Sequence, residues 1–235
     1  MPMHLPPNSC LLIIDMQYDF LPPDGSLAVP GGDSIVPKIR HLISENSKEF
    51  DLIVFTQDYH PQTHISFASN HKDTKPFDSI DYKNPNTISS PNKHEEEQDD
   101  KEVTLETIKS TLWPDHCVQG TRGCEIEESL LNTANKNVPY KLKFVKKGYL
   151  EDREYYSCFN DIWHSHHTEL NETLKNAGIK HVYCCGLALD YCVFNSALSS
   201  AKLGYQTFIV KNMTAAIDKS WDLDKMNTNI SYVEL

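Results

Sequence analysis

Short apolar runs alternate with longer amphipathic stretches along this chain. Residues 11–14, 52–56, 143–145, 182–186 and 206–210 are of strand length and nearly continuous in apolar character. Between them, residues 35–47, 125–131, 163–177 and 191–203 carry apolar positions at helical spacing. A strand without polar alternation is covered on both faces, and strands separated by helices build parallel sheets. The pattern predicts a three-layer α/β/α architecture around a mostly parallel sheet of about six strands, with a sixth, edge strand near residues 230–233. Residues 71–109 break the rhythm: they hold Pro76, Pro85, Pro91 and the charged run 94–102, with no clear strand or helix until late. Such a stretch inside a compact domain is expected to be a solvated acidic loop. The expected organisation is one domain over residues 1–235 with an insertion at about 71–110, whose flanks (Ser66, Phe67, Trp113, Pro114) are ordered.

Composition narrows the function classes. The chain has 235 residues, 39% hydrophobic and 23% charged, an ordinary globular balance. A formal charge of -11 argues against a nucleic-acid surface. No apolar run approaches the roughly 20 residues that span a bilayer, and the first residues lack a secretory pattern. The seven cysteines form no disulfide framework. They are expected to be reduced thiols of a cytoplasmic, and also nuclear, protein.

In an open α/β sheet the chemistry gathers at the carboxyl ends of the strands. Asp15 follows the first strand, Asp58 and His60 the second, the pair Lys146–Lys147 the third, and Cys192 the fourth. Cys192 falls where a strand hands over to a helix, a position whose free N–H groups and dipole favour a thiolate. Strand alternation turns Lys146 and Lys147 to opposite faces. Asp58 and His60 offer mixed oxygen and imidazole donors.

These segments carry a resemblance. Residues 11–20, 56–67, 113–120, 147–163 and 186–193 resemble the isochorismatase-like cysteine hydrolases, and within them the nicotinamidases. Asp58-Tyr59-His60-Pro61 with His64-Ile65-Ser66-Phe67, and Trp113-Pro114-Asp115-His116-Cys117, are similar to the nicotinamidases in particular. Residues 147–157 and the acidic insertion before Trp113 resemble the fungal and other eukaryotic branch.

The resemblance implies a catalytic set of Cys192, Asp15 and Lys147, the lysine being the one directly before glycine. Cys192 would attack a carboxamide, Asp15 would shuttle the proton, and Lys147 would hold Asp15 ionised and bias Cys192 toward the thiolate. The backbone amides of Ala188 and Cys192 would form the oxyanion hole, with a cis Leu187–Ala188 peptide. Asp58, His60 and His116 would hold one divalent metal ion, Zn²⁺ first, with Fe²⁺ or Mn²⁺ as alternatives. Phe20, Trp113 and Tyr191 are the candidate aromatic walls. The implied substrate is nicotinamide, with pyrazinamide also accepted, in NAD salvage. A homo-oligomer is compatible with this picture, and neither nucleic acid nor membrane is an expected partner. Asp19 is expected to orient its loop. His64 could face the pocket or be structural, and His164, His166 and His167 are expected at the surface. The remaining cysteines, Cys117 among them, are expected to pack. Rival readings are another amidohydrolase of the superfamily, a non-catalytic metal-binding or redox protein, and a vinyl-ether hydrolase.

Overall fold

All six residues of β1 (Ser9–Ile14) are buried, because this strand runs through the middle of the sheet. It pairs on one side with β2 (Leu52–Asp58) and on the other with β6 (His181–Leu187), both parallel. Outside these lie β5 (Leu142–Lys147) next to β2, then β7 (Gln206–Ala215) and β8 (Ser231–Val233) beyond β6. The six strands, all parallel, follow the order β5-β2-β1-β6-β7-β8. This computed structural model describes residues 4–88, 106–222, 225–226, 228 and 230–235.

The twofold alternation of side chains assigns each strand residue to a face. Leu11, Ile13, Ile53, Phe55 and Tyr183 pack on α1 (Gly32–Asn46) and α3 (Glu128–Asn137) through Ile35, Ile39, Leu42 and Leu130. Cys10, Leu12, Ile14, Val54 and Cys184 point the other way. They meet α4 (Leu170–Asn176) and α5 (Phe194–Lys202) through Leu170, Leu174, Phe194 and Ala197. The chain also forms one short helical turn, α2 (Pro85–Ile88).

The structure departs from the pattern-based expectation in three places. First, the 71–109 stretch is not strandless: β3 (Ser79–Lys83) and β4 (Thr107–Thr111) form an antiparallel hairpin. Its strands bury little besides Tyr82, which packs with Leu112 and Ala68, so an apolar-run signal is missing. The charged run 94–102 lies outside the described residues. Second, α4 begins at Leu170 and not near residue 163. The Asp161 carboxylate accepts the amides of Ser165 (2.8 Å) and His166 (3.2 Å), which diverts that backbone from a helix. Third, the helix over 191–203 is split. Leu189–Val193 is a π turn, and the α-helical run starts only at Phe194.

Candidate active site

Strand register brings the candidate residues together. Asp58 and Lys147, the last residues of β2 and β5, are direct partners across the ladder. Lys147 is fully buried, whereas Lys146 is exposed, with its ammonium 3.6 Å from the Tyr59 ring centroid. The Lys147 Nζ lies 2.9 Å from Asp15 Oδ2, 2.5 Å from Asp58 Oδ1, 3.0 Å from the Tyr155 carbonyl oxygen and 3.3 Å from Cys192 Sγ. An ammonium has three N–H bonds, so these acceptors share them. Asp15 leaves β1 with a left-handed backbone (φ 48°). Its Oδ1 accepts the Thr56 hydroxyl at 2.6 Å, and its amide donates to the same hydroxyl oxygen at 3.2 Å. One carboxylate oxygen each from Asp15 and Asp58 and the Cys192 sulfur all lie within 4.8 Å of one another.

The electrostatics follow from burial around one cation. Burial opposes charge on Lys147, but Asp15 and Asp58 outweigh it and hold the ammonium well above its usual range. Burial would also raise Asp58, yet Lys147 and then His60 hold its carboxyl well below the usual range. Asp15 goes the other way, since burial raises it and Lys147 offsets that only in part. Burial likewise pushes the Cys192 thiol well above its ordinary value; Lys147 counters this, and Asp15 and Asp58 add to it. Burial thus opposes the thiolate while Lys147, whose ammonium donates to the sulfur, favours it; the sulfur sits in a buried π turn beside two carboxylates and not at an open helix N-terminus.

Asp58 has a second face. His60 Nε2 is 3.6 Å and His116 Nε2 is 4.0 Å from Asp58 Oδ2. His60 Nδ1 donates to the Gly148 carbonyl (2.8 Å) and His116 Nδ1 to the Pro114 carbonyl (2.7 Å), so each Nε2 is the nitrogen that faces the carboxylate; burial opposes charge on His60, but Asp58 outweighs it and raises the His60 pKa. The buried His60 Nε2 has no hydrogen-bond partner. An orphaned imidazole nitrogen beside a second imidazole and a carboxylate oxygen, all within 4.8 Å, is a donor set that fits a divalent cation. Burial, then His60, pushes the His116 pKa down to about 4, so its ring is neutral, the form a metal requires. Gly148 makes this geometry possible. Its φ is +70°, and a Cβ there would lie 2.3 Å from His60 Cε1.

Phe20, Trp113, Tyr191 and Ala188 line one cavity with Cys192, Asp58 and His116. The Trp113 and Tyr191 rings meet edge to face at 4.8 Å. The Leu187–Ala188 peptide is cis, and the Ala188 carbonyl accepts the amides of Tyr191 (3.1 Å) and Val193 (3.0 Å), tying down the turn that carries Cys192. The same cavity is lined by residues that sequence reasoning missed: Leu27, Glu154, Tyr156 and Ile217. Glu154 is buried, and burial raises its pKa. Gln17 was missed as well. Its amide accepts from the Asp58 N–H (2.9 Å) and donates to the Asp58 carbonyl (2.8 Å), pinning that residue's backbone from both sides. A buried glutamine two residues after Asp15 was the available signal.

The other candidates lie around this core. Asp19 Oδ2 accepts the Cys117 amide at 2.7 Å and so ties two loops together. His64 bonds Ser66 Oγ (2.7 Å) and the Arg153 carbonyl (3.0 Å), and burial keeps its ring neutral. His164 and His167 are exposed, while the half-buried His166 bonds the Tyr155 hydroxyl at 2.6 Å. All seven cysteines are free and buried.

A parallel α/β/α sheet whose strand tips join a thiol, a carboxylate and an ammonium beside an Asp-His-His donor set defines a class, the cysteine-dependent hydrolases with an adjoining metal site. The isochorismatase domain matches residues 9–233, and the chain belongs to that family. It is 39% identical over 207 residues to a nicotinamidase of Saccharomyces cerevisiae, covering 88% of each chain. Among solved structures, it superposes on the yeast nicotinamidase Pnc1p bound to the inhibitor nicotinaldehyde (TM-score 0.83, 34% identity, 97% of this chain and 100% of that one). It also superposes on the pyrazinamidase of Pyrococcus horikoshii in complex with zinc (TM-score 0.69, 29% identity, 97% and 100%).

Two outcomes follow from this geometry. Gly148→Ala is expected to displace the His60 ring and weaken metal binding on the order of tenfold, the scale of losing a ligand's supporting contact. Metal content after dialysis, with circular dichroism as the fold control, checks this; wild-type metal retention would contradict the packing argument. Alkylation of Cys192 by iodoacetamide, followed by mass spectrometry, should be slow at pH 7 and accelerate steeply above pH 9, because the raised pKa keeps the thiolate scarce at neutrality. A rate already at its plateau near pH 6 would show a resting thiolate instead.

Proposed function

We propose that this chain is a nicotinamidase, hydrolysing nicotinamide to nicotinate and ammonia in NAD salvage, with pyrazinamide as a second substrate. The observation that carries the reading is the meeting of Cys192, Asp15 and Lys147 beside Asp58, His60 and His116, with Lys147 Nζ 3.3 Å from the sulfur and 2.9 Å from Asp15. The curated relative and solved neighbours named above support the substrate class. The cavity is lined mostly by apolar and aromatic side chains, suited to a flat ring.

In this mechanism the Cys192 thiol passes its proton to the Asp15 carboxylate as sulfur bonds to the carboxamide carbon. Lys147 stays protonated throughout and stabilises the ionised form of Asp15. The backbone N–H groups of Ala188 and Cys192 receive the developing oxyanion. As the tetrahedral adduct collapses, the C–N bond breaks and Asp15 returns its proton to the departing nitrogen, releasing ammonia. Water, deprotonated by Asp15, then cleaves the thioester; the acid leaves and the thiol is restored. Asp58, His60 and His116 would hold a divalent ion, Zn²⁺ by donor type with Fe²⁺ or Mn²⁺ as alternatives. When bound, it would supply a Lewis-acidic anchor for the ring nitrogen of the substrate. Phe20, Trp113 and Tyr191 hold the ring, and the protein acts in the cytoplasm.

Ammonia release from nicotinamide, with and without a chelator, tests the reading. Cys192→Ala is expected to lower turnover on the order of 10⁴-fold or more while the fold and nicotinamide binding persist. Full activity in that variant would remove the covalent route. His60→Ala is expected to lose metal and raise KM on the order of tenfold or more; unchanged metal stoichiometry would contradict the ligand assignment.

A further inference from the structure

Beyond β7 the chain passes the cavity at Ile217 and carries no helix or strand over residues 216–222. Ile217 is half-buried, lines the cavity beside Cys192, and packs on the core cluster that includes Leu27 and Ala188. Its neighbour Asp218 is exposed. Two hydrogen bonds to one side chain hold the segment in place. Asp190 Oδ1 accepts the Ile217 amide at 3.0 Å, and Asp190 Oδ2 accepts the Asp218 amide at 2.8 Å. Both bonds are charge-assisted, and a carboxylate whose two oxygens grip successive amides fixes position and direction together.

Asp190 belongs to the same five-residue π turn as Cys192, two positions before it. One short turn thus carries both the nucleophile and the clamp on the Ile217 wall of the same cavity. The other walls are braced from within. Trp113 and Tyr191 support one another edge to face, Tyr156 is 5.4 Å from Tyr191 by ring centroids, and its hydroxyl bonds Ser110 Oγ at 2.8 Å. Ile217 combines a solvent-facing side, an irregular backbone and tethering through a single residue, so it is the wall whose position is set most locally.

We infer that Asp190 is a positioning residue that latches Ile217 into the cavity wall, and that Ile217 sets the size of the carboxamide the site accepts. The substrate class is a small, unsubstituted heteroaromatic amide, with ring-substituted analogues excluded by the isoleucine side chain. This inference rests on the amidase reading above and adds to it a specificity device outside the reacting groups.

The experiment compares kcat/KM for nicotinamide and for ring-methylated nicotinamides, alongside amide hydrogen exchange. Ile217→Ala is expected to shift selectivity toward the methylated amides by about tenfold, the scale of one buried methyl group's discrimination. Asp190→Ala should shift it in the same direction and raise KM for nicotinamide more than it lowers kcat. Asp190→Asn, which keeps one acceptor oxygen, should fall between Asp190→Ala and wild type. Exchange at the amides of residues 217 and 218 should lose protection in Asp190→Ala but not in Ile217→Ala. Unchanged selectivity in both alanine variants, or protection at 217 and 218 that survives Asp190→Ala, would overturn the latch. A wild-type chain that releases no ammonia from nicotinamide would instead overturn the amidase reading and the size filter built on it, while exchange still decides the latch.

Discussion

A fully buried ammonium governs this structure. Lys147 has no solvent contact, so its charge is tolerable only because two carboxylates, a carbonyl oxygen and a sulfur surround it. Such an arrangement is weak evidence for stability, since desolvation of the three ions offsets most of their attraction. It is strong evidence for register. Asp58 and Lys147 oppose one another because β2 and β5 pair in parallel at that step. A slip of one residue would present the exposed Lys146 to the carboxylates and turn Lys147 outward. The apolar strands β1 and β2, buried on both faces, hold the register that the charges require.

Asp58 connects two kinds of chemistry through one carboxylate. Its Oδ1 serves Lys147, and its Oδ2 faces His60 and His116. The lysine and the imidazole pair therefore draw on the same negative charge, and Gln17 fixes the backbone from which that charge projects. Asp15, by contrast, shares Lys147 but has no imidazole neighbour, and burial leaves its carboxyl raised. The environments separate two aspartates on adjacent strands. One is held firmly ionised beside the histidines, and the other stays within reach of a proton next to the thiol. Finding titratable groups whose surroundings push them apart is a sound way to assign acid and base roles.

Much of this was legible along the chain, for identifiable reasons. The strands announced themselves because central parallel strands are apolar throughout, and the strand-tip rule then selected Asp15, Asp58, His60, Lys147 and Cys192. Alternation put Lys146 and Lys147 on opposite faces, and the resemblance, which sets the lysine directly before glycine, singled out Lys147. The β3–β4 hairpin escaped because its strands expose one polar face and bury chiefly Tyr82. The late start of α4 escaped because Asp161 competes for its amides through side-chain bonds that leave no periodic trace. Glu154, Tyr156 and Ile217 escaped because a cavity wall is assembled from distant loops. The contact between Ile217 and Asp190 spans 27 residues and needs the sheet to exist first. The sequence showed the strand-to-helix junction at Cys192 but not the burial that raises its thiol pKa.

The hairpin also braces the aromatic cavity. β4 runs directly into Trp113, and Ser110 on β4 bonds the cavity-lining Tyr156. The hairpin is closed below the charged run. Lys83 pairs with Thr107, the Asn84 amide donates to the Glu106 carbonyl at 2.9 Å, and Asn84 Nδ2 donates to Glu106 Oε2 at 2.8 Å. Loop-closure entropy grows only slowly with length, so a longer or shorter charged run would change the cost of closure little and leave the register of Ser110 intact. The ladder thereby fixes the register of Ser110, and through its bond to Tyr156 one wall of the cavity.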